Sequence, residues 1–159
     1  EYAEKFNPPN QDDERFEPRE EQKGNTARAM LYFYTIYVDE ATEIFWNLQD
    51  EALINWHFYD LPDAVEISRT NTIASYQGNV NPYVVDSSLV GRVFLVSEGA
   101  LTGDINQDNT LDILDVVMDI GYIIDEINLS QTEIIIADMN YDITLDVLDV
   151  VLLVGTILN

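Results

Sequence analysis

Cysteine is absent from this chain of 159 residues, which excludes a disulfide framework and any thiolate metal or redox centre. Basic residues are scarce, with 7 Lys and Arg against 30 Asp and Glu and a formal charge of −23. The broad cationic footprint that holds nucleic acid is therefore missing from the composition. Histidine occurs once, as His57, and a lone histidine without ligand spacing or a positioned partner is expected to be structural. No apolar run of about eighteen residues escapes interruption by Asp, Gly or Asn, so no membrane span is expected. Residues 1–5 carry neither the basic n-region nor the apolar h-region of a signal peptide, so a signal for export would lie outside this chain. What is present is apolar material, 47% of residues, enough to bury a core in spite of the charge.

The charge is unevenly spread. All seven basic residues lie in residues 1–97, together with seventeen acids, whereas residues 98–159 hold thirteen acids and no Lys or Arg. Between Val96 and Gly103 small residues and glycines replace the periodic apolar pattern, as in a linker. The expected organisation is a first segment over 1–97, a linker at 98–102 and a second segment over 103–159.

Residues 1–22 hold three prolines and no periodic apolar spacing, and read as extended or loose. From Asn25 or Thr26, a helix to about Tyr37 follows from Ala27, Met30, Leu31 and Tyr34 at i, i+3, i+4 and i+7. A second helix is expected over Ala41 to Trp56. A third starts at Asp63, with Glu66 three residues on as a capping-box variant, and stops at Gly78. Asn79-Val80-Asn81-Pro82 then turns the chain, and Leu89, Val90, Val93 and Phe94 have helical spacing. The segment reads as mainly helical, with Tyr32, Tyr34 and Trp56 as core.

The second segment repeats itself: residues 104–117 align without a gap on residues 138–151, at an offset of 34. Such self-similarity marks one structural unit used twice. The spacing has a chemical meaning, because a twelve-residue loop offers a hard cation such as calcium its oxygens from positions 1, 3, 5, 7, 9 and 12. In the first loop these are Asp104, Asn106, Asp108, the carbonyl of Thr110, Asp112 and Asp115. In the second they are Asp138, Asn140, Asp142, the carbonyl of Thr144, Asp146 and Asp149. Four carboxylates in so small a volume repel one another unless a cation lies between them, so metal binding and folding are expected to be coupled. Position 6, where a sharp turn favours Gly, holds Asn109 in one loop and Ile143 in the other, so the second site is expected to be weaker. Apolar helices follow at Ile113 to Ile124 and Val147 to Leu158 and are expected to pack antiparallel, with Ser130 and Glu133 capping a short helix between the repeats.

These duplicated Asp-x-Asn-x-Asp-x-Thr-x-Asp-x-x-Asp loops, each running straight into a helix, resemble a type I dockerin over residues 103–159. The resemblance implies a calcium-stabilised module that binds a cohesin partner through its helices. At loop positions 10 and 11, where such modules show the partner polar or basic residues, this chain has Ile113-Leu114 and Val147-Leu148. Burial within the helix pair is expected for these four, since exposed apolar pairs need a reason.

The first segment resembles the C-terminal part of the bacterial endonuclease I family over about residues 16–95. The residues that carry this are Lys23-Gly24-Asn25-Thr26-Ala27-Arg28-Ala29, then Trp56, Glu66 to Arg69, and Gln77-Gly78-Asn79-Val80-Asn81-Pro82. The resemblance implies a secreted or periplasmic ββα-metal nuclease that hydrolyses DNA, sometimes RNA, with magnesium. In such a core a histidine activates water while an acid and an Asn hold the ion. The His-bearing stretch belongs upstream of the Lys-Gly-x-x-Ala-Arg-Ala helix, so the catalytic residues are expected outside this chain, which is expected to be inactive alone. In the intact enzyme, Lys23, Arg28, Arg69 and Asn79 are the candidates for nucleic-acid contact. A salt bridge from Arg28 or Arg69 to Glu66 or another acid is favoured over phosphate contact at this charge, and Asn79, Asn81 and Pro82 are expected mainly to build the turn.

The expected fold is thus mainly α: the helical C-terminal part of a ββα-metal nuclease followed by a dockerin-like domain of paired EF-hand-like loop–helix units. Three functions follow from it. One is a nuclease fragment with calcium at two sites, magnesium only in the intact enzyme, and tethering to a cohesin-type partner or cell surface. The second is a calcium-dependent binding module with a helical spacer. The third is a calcium-stabilised exoenzyme segment with no partner. Both resemblances imply an extracellular or cell-surface location, where calcium is plentiful.

Overall fold

The computed structural model describes the backbone of residues 4–6 and 15–16 and the whole of residues 17–41 and 43–159. The chain forms two compact units, Glu1–Val90 and Gly91–Asn159. Residues 98–102, the expected linker, lie inside the second unit, ahead of the first loop.

In the first unit, two three-residue strands, β1 (Glu4–Phe6) and β2 (Arg15–Glu17), pair antiparallel with Lys5 opposite Phe16. The described part of the stretch read as extended or loose is therefore extended and paired. A 3₁₀ turn at Glu20–Gln22 leads into α1 (Lys23–Ile36). The helix expected over Ala41 to Trp56 is two helices, α2 (Glu43–Asn47) and α3 (Asp50–Tyr59). The break falls where Asn47 is a poor helix former and where Asp50 and Glu51 place acids at a new N-terminus. α4 (Ala64–Gln77) begins and ends as its sequence requires. Asp63 accepts the Glu66 N–H at 2.7 Å, and Gly78 stops the helix at φ +80°, a conformation costly for a side chain with a Cβ. A single turn, α5 (Pro82–Val85), follows, and α6 (Ser88–Phe94) begins in this unit and ends in the second.

α1 packs against α3 and α5. The buried apolar residues of these helices are Ala27, Leu31 and Tyr34 from α1, Leu53 and Ile54 from α3, and Tyr83 and Val84 from α5. Tyr34 also meets the Trp46 ring edge-on at 4.3 Å between centroids. Trp56 and Tyr32 are half-buried. α4 turns little but Glu66 inward, leaving Val65, Ile67 and Tyr76 exposed.

The second unit holds two loop–helix repeats. The loops end in α7 (Ile113–Ile123) and α9 (Val147–Ile157), which pack together, and α8 (Gln131–Ala137) lies between them in sequence. Asp112, Ser130 and Asp146 each close a capping box at the head of the helix they start. Ile105, Val116, Ile136, Ala137 and Leu153 form the buried apolar centre. Among the described residues no helix is long and apolar enough to cross a membrane.

Candidate functional site

Two polar constructions stand out, one in each unit. In the first, α1 meets the end of α3 so closely that a Cβ on Gly24 would lie 1.8 Å from the Asp60 carbonyl oxygen. Only glycine permits that approach. The Gly24 N–H donates to Asp60 Oδ2 at 2.9 Å. One turn on, Arg28 is completely buried. Its Nε donates to Glu66 Oε1 at 2.9 Å and Oε2 at 3.1 Å, and its Nη2 also donates to Oε2. The remaining donors reach the Asp60 carbonyl at 2.7 Å, Asn25 Oδ1 at 3.2 Å and His57 Nδ1 at 3.4 Å.

These contacts define the state of His57. Its Nε2 stands 2.8 Å from the Ser87 carbonyl, which can only accept, so Nε2 carries the hydrogen and Nδ1 is left as the acceptor facing Arg28. Burial lowers its pKa to about 4; the Ser87 hydrogen bond opposes the change and the Arg28 charge adds to it. A ring with both nitrogens engaged and an interior occupied by a guanidinium offers no place for a divalent ion. Among the described residues of the first unit, this cluster does not fit magnesium.

The four candidates for nucleic-acid contact are placed as follows. Arg28 takes the Glu66 salt bridge and points inward, out of reach of phosphate. Lys23 Nζ lies 2.6 Å from Glu17 Oε1 and 2.9 Å from Glu20 Oε1, and these two partners raise its pKa. Asn79 Nδ2 donates to the Tyr32 hydroxyl at 2.8 Å. Arg69 is exposed on α4. Asn81 donates to the Arg28 carbonyl at 2.9 Å while its Oδ1 accepts the Tyr83 N–H at 3.0 Å, and the Tyr83 and Thr35 hydroxyls lie 2.6 Å apart. The Gln-Gly-Asn-x-Asn-Pro element is therefore a clamp that ties α4 and α5 to α1.

In the second unit the two loops are nearly congruent. Asp104 accepts the Asp108 and Asn109 N–H groups at 3.1 and 2.8 Å, and Asp138 accepts those of Asp142 and Ile143 at 3.2 and 2.8 Å. Asp115 accepts from Ile105, Asn106 and Asp112, at 2.9, 3.3 and 3.0 Å. Asp149 accepts from Met139, Asn140 and Asp146, at 2.9, 3.2 and 2.9 Å. Asn106 and Asn140 accept from Asp108 and Asp142, whose carboxylates in turn accept the Thr110 and Thr144 N–H groups. The chain turns left-handed at positions 4 and 6 of both loops: Gln107 at φ 58°, Asn109 at 67°, Tyr141 at 63° and Ile143 at 71°. Ile143 adopts this backbone although a β-branched residue is strained there.

Asp104, Asp115, Asp138 and Asp149 are buried. Burial raises the Asp138 pKa; the Ile143 N–H opposes the shift and the neighbouring Asp149 charge adds to it. Among the described residues no three His, Asp or Glu side chains converge closely enough to hold an ion by themselves. The other oxygens of each loop are the Asn106 or Asn140 amide and the Thr110 or Thr144 carbonyl. An all-oxygen donor set suits a hard cation. Apart from the loops, Asp119, on α7, is completely buried with neither carboxylate oxygen hydrogen-bonded.

The expected burial of Ile113, Leu114, Val147 and Leu148 is overturned. They are 65, 54, 63 and 56% exposed. The buried residues of α7 and α9 are Asp115, Val116, Asp119, Asp149 and Leu153, with Asp115 and Asp149 turned onto their own loops, and the first-turn apolar residues face solvent. Val117 and Val151, with Ile124 and Leu158, continue this exposed face at the same 34-residue offset.

Sequence reasoning missed Asp60, whose pairing with Gly24 joins positions 36 residues apart; Gly24 stood in the Lys-Gly-x-x-Ala-Arg-Ala motif, with no signal for its partner. It also passed over Asp119, for which a signal existed: the repeat places Leu153 at the corresponding position, so an acid there breaks an otherwise apolar pattern.

A family model described as Endonuclease I matches residues 3–88, more than half of the chain. No curated protein and no solved structure matches it.

Proposed function

Because this chain belongs to the endonuclease I family, we propose that it is a non-hydrolysing portion of a nuclease-related protein, joined to a calcium-dependent docking module. The observation that carries the reading is the doubled apolar face: Ile113, Leu114 and Val117 on α7, and Val147, Leu148 and Val151 on α9, all more than half exposed. Exposed apolar surface of this extent, repeated by the internal symmetry of the unit, marks an interaction site. The partner is a protein of cohesin type, on a scaffold or at the cell surface.

Calcium would be held by Asp104, Asn106, Asp108, Thr110, Asp112 and Asp115 in one loop, and by Asp138, Asn140, Asp142, Thr144, Asp146 and Asp149 in the other. It supplies the positive charge that lets these carboxylates sit together and so stiffens the heads of α7 and α9. The second site is the weaker, since Ile143 is strained. Millimolar calcium is an extracellular condition, which suits an exported protein.

Hydrolysis is assigned elsewhere because His57, the single histidine, is neutral and committed to Arg28 and Ser87. Magnesium and nucleic acid belong to the intact enzyme, where exposed Arg69 is the best-placed of the family residues for a phosphate.

Capture of this chain by an immobilised cohesin-type protein, in excess calcium and in EDTA, tests the reading. Binding in calcium alone, lost in Leu114→Asp with Leu148→Asp while the calcium-dependent melt is retained, is expected. Capture that persists in EDTA or in the double variant would refute it. A calcium-dependent rise in melting temperature with no capture would favour the stabiliser reading, and nicking of plasmid DNA by the purified chain in magnesium would overturn the assignment of catalysis elsewhere.

A further inference from the structure

One helix of the first unit lies on the surface without burying anything. α2 (Glu43–Asn47) has five residues and hides none of them. A helix so short is marginal by itself, since isolated helices need about 12–15 residues to hold in water. Two rings fasten it to α1: Phe45 stacks on Tyr34 at 6.1 Å between centroids, and Trp46 meets Tyr34 edge-on. Ile44 and, one turn on, Leu48 are left 77 and 63% exposed. Phe33 and Tyr37, whose rings lie 5.4 Å apart at the end of α1, and Val38 just beyond it are exposed as well.

The stretches that bound α2 in the chain are acidic. Asp39 and Glu40 follow α1, Glu43 opens α2, and Asp50 and Glu51 open α3. Among the described residues none of these five takes part in an ion pair. No Lys or Arg occurs between Arg28 and Arg69 to neutralise them. This charge selects what can cover the apolar residues. A second copy of the chain, at −23, would bring acid against acid, and nucleic acid or an anionic membrane would be repelled in the same way. A basic polypeptide is attracted, and its Lys or Arg side chains can meet both a carboxylate and the face of an exposed ring.

We propose that the end of α1 and the exposed side of α2 form a docking surface for a basic, amphipathic polypeptide segment. Its apolar side chains cover Ile44 and Leu48, and its Lys and Arg side chains meet Asp39, Glu40 and Glu43. The segment supplies the packing that a five-residue helix lacks, so its binding steadies α2. The surface belongs to the first unit and depends neither on the calcium loops nor on the apolar heads of α7 and α9.

The test is the fluorescence anisotropy of a labelled synthetic helix of Lys and Leu, titrated with the full chain, beside a matching helix of Glu and Leu. Saturable binding of the lysine peptide alone is expected. Ile44→Ser with Leu48→Ser should weaken it by at least about tenfold, since two aliphatic anchors are lost. Both side chains are exposed, so the urea midpoint of the first unit should hold in this variant. Asp39→Asn with Glu40→Gln and Glu43→Gln should also weaken binding, and by more at about 0.05 M salt than at about 0.5 M, where charges are screened. Leu114→Ser with Leu148→Ser, at a distant site, should leave it within about twofold. No binding of the lysine peptide, equal binding of the glutamate peptide, or binding that either first-unit variant leaves unchanged would overturn the proposal. Loss in the Leu114 and Leu148 variant alone would also overturn it, by moving the surface to the second unit. So would a dimer in sedimentation that Ile44→Ser with Leu48→Ser dissolves, because the occupant would then be a second copy.

Discussion

Replacing Glu66 by Gln leaves Arg28 charged, fully buried and without its counter-ion, and the consequence can be sized from its contacts. Glu66 receives three of the guanidinium's close approaches, two from Nε and one from Nη2. Gln keeps a single acceptor oxygen and turns an amide NH₂ toward donors, so most of this is lost. Removing one partner of a buried ion pair costs about 3–5 kcal/mol, and the retained oxygen argues for the lower end. Both tryptophans, Trp46 and Trp56, lie in Glu1–Val90 and none lies in Gly91–Asn159, so tryptophan fluorescence in urea follows the first unit alone. With a urea slope of about 1 kcal/mol/M for a unit of this size, the midpoint should fall by about 3 M. The double variant Arg28→Met with Glu66→Leu separates an ion pair from a hub. A simple buried pair can be replaced by apolar residues at no loss. Here the exchange strands the Asp60 carbonyl, His57 Nδ1 and Asn25 Oδ1, at about 1–3 kcal/mol for each buried group left unsatisfied. The double variant should therefore remain well below the native midpoint. A Glu66→Gln shift under about 0.5 M, or a double variant as stable as the native chain, would refute the placement of Arg28 as the hub of the first unit.

His57 predicts a pH dependence confined to the same unit. Its folded pKa is about 4 against an ordinary value of 6.5, so below pH 6.5 the unfolded chain takes up a proton that the folded chain refuses. Stability is full above that pH and is lost as pH falls toward 4, by about 3 kcal/mol from this group. His57→Gln, which can still donate to Ser87 and accept from Arg28, should flatten that slope in urea titrations at pH 7 and pH 4.5; an unchanged slope would count against a neutral buried ring. Ile143→Asn copies the first loop at a left-handed position and should relieve about 1–2 kcal/mol of backbone strain. Partial loss of the isoleucine's burial offsets some of this, leaving about 1 kcal/mol, or about fivefold in second-loop calcium affinity. Asn109→Ile should do the reverse to the first loop, and a drop in thermal midpoint for Ile143→Asn by circular dichroism would show that strain is not what limits the second loop.

Local rules carried much of the fold. The caps at Asp63 and Ser130 and the stop at Gly78 depend on residues within four positions of each other, and the loop spacing on twelve consecutive residues, and such signals are legible in order. The break between α2 and α3 was missed, because continuous apolar spacing outweighed the weaker local signal of Asn47 and of the acids Asp50 and Glu51 at a new N-terminus. Position in the chain says nothing about which of Arg28 and Arg69, both near Glu66 in principle, folds inward; that was decided when Gly24 let the Asp60 carbonyl approach α1.

The paired oxygen-rich loops and their unequal turns were determined by the order of residues alone, because a loop's ligands and its backbone both come from twelve neighbours. Which apolar residues would be hidden was decided only by assembly. A helix can bury only one side, and once α7 and α9 buried Asp115, Val116, Asp119, Asp149 and Leu153, the leucines and branched residues at the helix heads were left facing water.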